Sequence, residues 1–252
     1  MTNPSKSLTT HLLSLDKEGL KKATQAPFLV QAGKGTLPKE VLEKWLGQDR
    51  LYAQAYINFG SRLLAGLAAK LPPKVNPDHL NERLTDLVLD ALNNVRRELK
   101  FFEEVASKYS LDINAADDVK MASEGVKAYR RLFDSIGSQA QNGERSYVLE
   151  GLMLLWGTEI CYLEAWRYAK GFPNKEEDQK DKDGGALRNE FIPNWTSDEF
   201  ANFVGKMGRF VDEAWGQLES SELGNCAMLE KMEGIWKGVL DVEQVFWPKV
   251  EE

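Results

Sequence analysis

No proline stands between Pro77 and Pro173, nor between Pro193 and Pro248. Proline inside a helix removes a hydrogen bond and clashes with the preceding turn, so these two spans are free of the strongest helix breaker. Within them apolar residues recur every three or four positions, the period of a helix face, rather than every two. The pattern predicts an all-α chain with helices near 6–25, 38–69, 79–109, 114–140, 145–170, 197–220 and 224–247. Pro38 suits a first helical position, where its missing N–H costs nothing. Thr196 with Glu199 reads as a capping box, and Gly171 with Pro173 as a helix stop. The charged segment Asn174–Asn189, broken by Gly184 and Gly185, reads as a surface insertion within a single domain spanning 1–252.

Three of these helices carry an apolar stripe interrupted by one carboxylate. The first holds Trp45, Asp49, Tyr52 and Tyr56; the second Leu152, Leu155, Glu159, Tyr162 and Trp166; the third Trp236, Val239, Glu243 and Phe246. The spacing puts each acid on the face that its aromatic neighbours turn to the interior. A buried carboxylate is costly unless paired, hydrogen-bonded or protonated. Any one of the three could be a satisfied core acid beside a tyrosine. Together they point to a partly buried polar pocket, and burial beside other acids raises carboxyl pKa values into the range of acid–base catalysis.

Other chemistries find less support. A net charge of −7 with scattered Lys and Arg argues against nucleic acid as a partner. Cys161 and Cys226 form no disulfide framework, which suggests a reducing, cytoplasmic setting. Cys161 follows Glu159 by two residues, about 200° around a helix, so it is expected to face away from the pocket. His11 and His79 belong to no metal-ligand motif, and no metal or cofactor is expected. The longest apolar run, from Gly151 to Gly157, is too short to cross a bilayer, and the N-terminus lacks a signal-peptide core.

The segment Ala26–Tyr52, APFLVQAGKGTLPKEVLEKWLGQDRLY, resembles the opening signature of the TenA (thiaminase II) family. Glu243-Gln244-Val245-Phe246-Trp247 is similar to that family's Glu-x-x-Phe-Trp motif, and Glu98 with Phe101–Phe102 to its third-helix pattern. Tyr129 matches its pocket tyrosine, and Trp195 with Phe200 the start of its sixth helix. The resemblance runs through residues 20–250 in order.

It implies a haem-oxygenase-like helical bundle that binds no haem, a homo-oligomer, and hydrolysis of 4-amino-2-methylpyrimidines in thiamin salvage. Asp49 would then hydrogen-bond the ring's amino group and a ring nitrogen, with Tyr52, Tyr129, Tyr162 and Trp166 lining the pocket and Glu243 as main general acid/base. Where one branch of the family has a nucleophilic cysteine, four residues before Tyr162, this chain has Thr158. Glu159-x-x-Tyr162-x-x-Ala165-Trp166 resembles instead the branch with a glutamate in the site. That branch implies hydrolysis of aminopyrimidine and formylaminopyrimidine rather than thiamin cleavage, with Glu159 as second catalytic acid. A non-catalytic pyrimidine-binding protein and a helical interaction protein are the readings from other classes.

Overall fold

Asp16 ends one helix and begins the next. Its backbone leaves the helical region (φ −136°, ψ 80°) and its carboxylate accepts from the Gly19 N–H at 2.7 Å, an N-cap that divides the helix expected over 6–25 into two. The computed structural model describes residues 7–114, 121–140, 145–173, 180–219 and 226–250, with no β-strand among them. In chain order the helices are α1 (Leu8–Leu15), α2 (Lys17–Thr24), α3 (Pro27–Gly33), α4 (Lys39–Ala68), α5 (Leu80–Tyr109), α6 (Glu124–Ala140) and α7 (Arg145–Lys170). A single π-helical turn, Leu187–Phe191, then leads into α8 (Ile192–Trp195), followed by α9 (Asp198–Glu219) and α10 (Cys226–Phe246).

Several local expectations shift. Pro38 is the N-cap of α4 rather than its first helical residue. Ser197 caps α9 by accepting from the Phe200 N–H, while Thr196 donates back to the Ile192 carbonyl. The helix expected over 114–140 begins at Glu124, and 115–120 lie outside the described residues. Of the expected surface insertion, 174–179 also lie outside them. The part that follows is only partly surface: Lys180, Lys182, Gly184 and Asn189 are exposed, whereas Asp183, Ala186 and Leu187 are buried, and Asp183 accepts from the Gly185 and Leu187 N–H groups. Buried amide acceptance of this kind satisfies a carboxylate that charge density alone would place in solvent.

Helix α7 runs through the interior and packs on α2, α3, α6, α9 and α10. Every residue from Val148 to Thr158 is buried, so this stretch of the helix has no solvent face. Helix α4 packs on α5 and α6 beside it. One end of the core is a cluster of indoles. Trp45 meets Trp166 and Trp195 edge-on, stacks on Trp247, and leans on Phe28. Trp247 also donates to the Ala23 carbonyl at 2.8 Å, which ties the end of α10 to α2.

Helices α6 and α10 touch backbone to backbone at Gly125. A Cβ there would stand 2.5 Å from the Phe246 Cα and 2.7 Å from the Val245 carbonyl oxygen. Neither backbone atom can rotate away. Gly125→Ala is therefore expected to destabilise the fold by about 1–3 kcal/mol, the usual range for overpacking. Because α6 and α10 carry Tyr129 and Glu243, the variant should also weaken their hydrogen bond. Chemical denaturation together with ultraviolet resonance Raman of the tyrosine would check both effects; unchanged stability would show that the helices slide apart freely.

Candidate active site

Helices α4, α5, α7 and α10 each send one carboxylate into the same region. Asp49 and Glu243 are buried, at 3% and 2% exposure, while Glu98 and Glu159 are half-buried. An enclosed space of about 30 Å³ is lined by Asp49, Tyr52, Tyr56, Glu98, Glu159 and Tyr162, with Ala53, Val95 and Phe200 completing the wall. That volume suits a water or two, at roughly 10–15 Å³ each. Among the described residues no cationic side chain lines it.

Hydrogen bonds orient the acids. Tyr162 donates to Asp49 Oδ2 at 3.1 Å, Trp195 Nε1 to Glu98 Oε1 at 2.5 Å, and Tyr129 to Glu243 Oε1. Asp49 Oδ1 and Glu243 Oε2 remain buried without a partner. Buried polar atoms are normally satisfied, so these two orphaned oxygens are acceptors that still call for a partner. The Tyr56 hydroxyl leans toward Glu159 and eases its charge, though it makes no hydrogen bond of good geometry.

Burial dominates the proton affinities. Asp49 is raised well above its ordinary value by burial and by the charge of Glu98, opposed by the Tyr162 hydroxyl and reinforced by Glu243 and Glu159. Burial pushes Glu159 to about 8, Tyr56 opposing and Glu98 adding. Glu243 also rises to about 8 through burial, with Tyr129 opposing and Glu159 adding. Burial raises Glu98 to about 7, with the Trp195 N–H opposing. All four acids thus keep their protons to a higher pH than ordinary carboxyl groups do.

The residues expected from sequence do not all stand in one layer. Asp49, Tyr52, Glu159 and Tyr162 line the cavity. Tyr129 and Glu243 lie one layer away, Tyr129 packing edge-on against Tyr52 at 4.7 Å. Trp166 does not line the cavity: it is fully buried, packed against Trp195 at 4.4 Å and edge-on to Tyr162, which it supports. Cys161 is off the cavity, as its helical phase predicts, yet it does not reach solvent, because α7 is surrounded. Burial and the charge of Glu243 push its thiol pKa up, the opposite of what a thiolate nucleophile needs. Thr158, at the position of the alternative cysteine, sets its hydroxyl against Tyr52 and donates to the Leu155 carbonyl. Among the described residues no three His, Cys, Asp or Glu side chains are grouped to hold a metal.

Tyr56, Glu98 and Phe200 are cavity residues that the sequence reading did not assign to the site. The signal for Glu98 was present: Ala91, Val95, Phe102 and Val105 of α5 are buried, and Glu98 interrupts their stripe as the other acids interrupt theirs. Beyond Glu98 and Glu159 a second space of about 310 Å³ opens toward solvent. It shares Val95, Glu98, Glu159 and Phe200 with the inner cavity and is rimmed by Asn94, Arg97, Asn194 and Glu199.

The raised acids have a consequence for stability. Unfolded, Glu159 and Glu243 release their protons near 4.5; folded, near 8. Between those values the folded state binds more protons, so stability falls as pH rises from about 4.5 to about 8 and then levels. Glu243→Gln, which keeps an acceptor for Tyr129 but cannot ionise, is expected to raise Tm by at least about 2–4 °C at pH 8, the shift that accompanies roughly 1 kcal/mol in a chain of this size. The gain should shrink toward pH 5. Calorimetry across this window would check it, and a gain independent of pH would contradict the assigned burial cost.

A profile of the TENA/THI-4/PQQC family matches residues 18–252. A TenA homologue from Pyrococcus furiosus, 22% identical, superposes with a TM-score of 0.72 over 95% of this chain and 98% of its own. A putative TenA-like thiaminase from Sulfolobus solfataricus, 16% identical, gives 0.60 over 98% and 95%. These likenesses place the fold in the all-α haem-oxygenase-like class. A protein of Fusarium pseudograminearum described as a probable transcription factor is 28% identical over 91% of this chain, which spans 50% of that relative's length. With nearly the whole chain matched, the protein belongs to the TENA/THI-4/PQQC family.

Proposed function

We propose that the protein is a hydrolase of 4-amino-2-methylpyrimidines bearing an aminomethyl or N-formylaminomethyl group, acting in salvage of the pyrimidine half of thiamin. The observation that carries this reading is a cation-free cavity with acids of raised proton affinity, walled by tyrosines and holding an unpartnered Asp49 Oδ1. A carboxyl group that retains its proton offers one donor and one acceptor. That pair complements the ring nitrogen and amino N–H of a 4-aminopyrimidine, and Tyr162 holds Asp49 in place for it. Tyr52 and Tyr162 supply flat walls for the ring.

The ring exceeds the inner space, so binding parts the wall shared with the cleft at Glu98, Glu159 and Phe200. In deformylation a water attacks the formyl carbon and loses its proton to one ionised glutamate. The other glutamate protonates the amine as the C–N bond breaks, leaving formate and the aminomethylpyrimidine. In deamination the water replaces nitrogen at the methylene carbon and ammonia departs with the proton. Glu243, held by Tyr129, is the main acid/base and Glu159 the second. Cys161 takes no part, since burial and the charge of Glu243 keep its thiol from ionising readily.

The sign of the pH dependence follows from the raised acids. An ionised base is required, so turnover should climb as pH rises through about 8 toward the ionisation of Glu159 and Glu243, until the acid form of the pair is exhausted.

Incubation of the purified protein with each pyrimidine, with product followed by chromatography, tests the reading directly; tight binding without product would favour a pyrimidine-binding protein instead. Glu243→Gln is expected to slow turnover by about 10²–10⁴-fold with a smaller change in binding, and Glu159→Gln to slow it as well. Cys161→Ser should keep most of its activity. Loss of turnover in a folded Cys161→Ser protein would reopen covalent catalysis.

A further inference from the structure

Glu98 stands where the two spaces meet. It lines both the inner cavity and the outer cleft, and the Trp195 N–H fixes its carboxylate from the side. The acids around it, Asp49 from α4 and Glu159 from α7, bring no positive partner. The one cation along the cleft, Arg97, sits at the exposed rim, where it pairs with Glu199 at 3.4 Å and donates to Asn94. Negative charge facing a narrow passage with apolar walls concentrates the field on whatever enters. Asp49 Oδ1, buried and without a partner, marks the inner end of the bound molecule. A ring held there must direct its substituent outward, to the neck.

Resting on the proposed hydrolysis of aminopyrimidines, we propose that Glu98 is a specificity-determining residue that binds a positively charged exocyclic amine at the neck between cavity and cleft. Two acids stand beside that position, Asp49 and Glu159, while Glu243 lies behind Tyr52. The Trp195 N–H, donated to the Glu98 carboxylate, favours its charged form. An ammonium beside it forms a charge-assisted hydrogen bond and relieves the repulsion that Glu98 exerts on Asp49 and Glu159. A hydroxymethyl group of the same shape offers no charge to read.

Titration calorimetry at pH 7.5 with two ligands of one ring tests this assignment: the 5-aminomethyl and 5-hydroxymethyl forms of 4-amino-2-methylpyrimidine. The unmodified protein should bind the aminomethyl form tighter by about tenfold or more, the usual worth of a hydrogen bond to a charged group. Glu98→Gln keeps the shape and an acceptor for Trp195. It should abolish that preference while leaving the hydroxymethyl form within about twofold, because a neutral hydrogen bond of similar geometry remains. Glu98→Asp, which retains the charge, should keep part of the preference.

Equal binding of both ligands by the unmodified protein overturns the assignment. So does a Glu98→Gln protein that retains the preference or weakens both ligands alike, and so does a Glu98→Asp protein indistinguishable from Glu98→Gln. Binding of neither ligand by the unmodified protein is a separate result, which overturns the proposed function and with it the role of Glu98.

Discussion

Four carboxyl groups share one interior without a cation among the cavity walls. In such a setting each ionisation costs desolvation and repels the next, so the group settles by keeping protons that solvent would remove. The tyrosines and tryptophans around the acids answer part of this cost by donating hydrogen bonds: Tyr162 to Asp49, Tyr129 to Glu243, Trp195 to Glu98. What they leave unanswered, Asp49 Oδ1 and Glu243 Oε2, is where binding energy can be gained. The same arrangement that weakens the empty protein prepares it for a polar ligand.

The remainder of the fold keeps this arrangement rigid. Helix α7 carries Glu159 and Tyr162 and packs against α2, α3, α4, α6, α8, α9 and α10, so neither side chain can escape to solvent by rotating its helix. The indole cluster of Trp45, Trp166, Trp195 and Trp247 gathers four elements at one end of the site. Trp166 therefore acts on the cavity through Tyr162 and Trp195 rather than by touching its contents. Close backbone contact at Gly125 sets the separation of α6 and α10, and with it the reach of Tyr129 to Glu243.

Much of the candidate site could be read in advance because its signal is periodic. An acid on an apolar helical stripe is a local pattern, visible at Asp49, Glu159 and Glu243 without knowing what packs against them. Glu98 obeys the same rule on α5, but its stripe is bounded by the exposed Arg96 and Arg97, which mask it in the sequence. Tyr56 sat on a recognised stripe and still went unassigned to the site, since position on a face does not say which member meets a void. The segment after Lys180 misled for a different reason. Its charge suggested solvent, whereas Asp183 finds two backbone donors and so can be buried.

The sequence by itself determined that the chain is helical, where the long helices run, and which face of each turns inward. These properties depend on neighbours three and four residues apart, on proline, and on caps. Only the tertiary structure decided which stripes meet. It brought α5 into the site with Glu98, placed Glu243 behind Tyr52 rather than on the cavity wall, and withdrew Trp166 into the supporting core. A helical period specifies a direction, not the partner that lies along it. Partners are chosen by packing between helices far apart in the chain, and no local pattern carries that information.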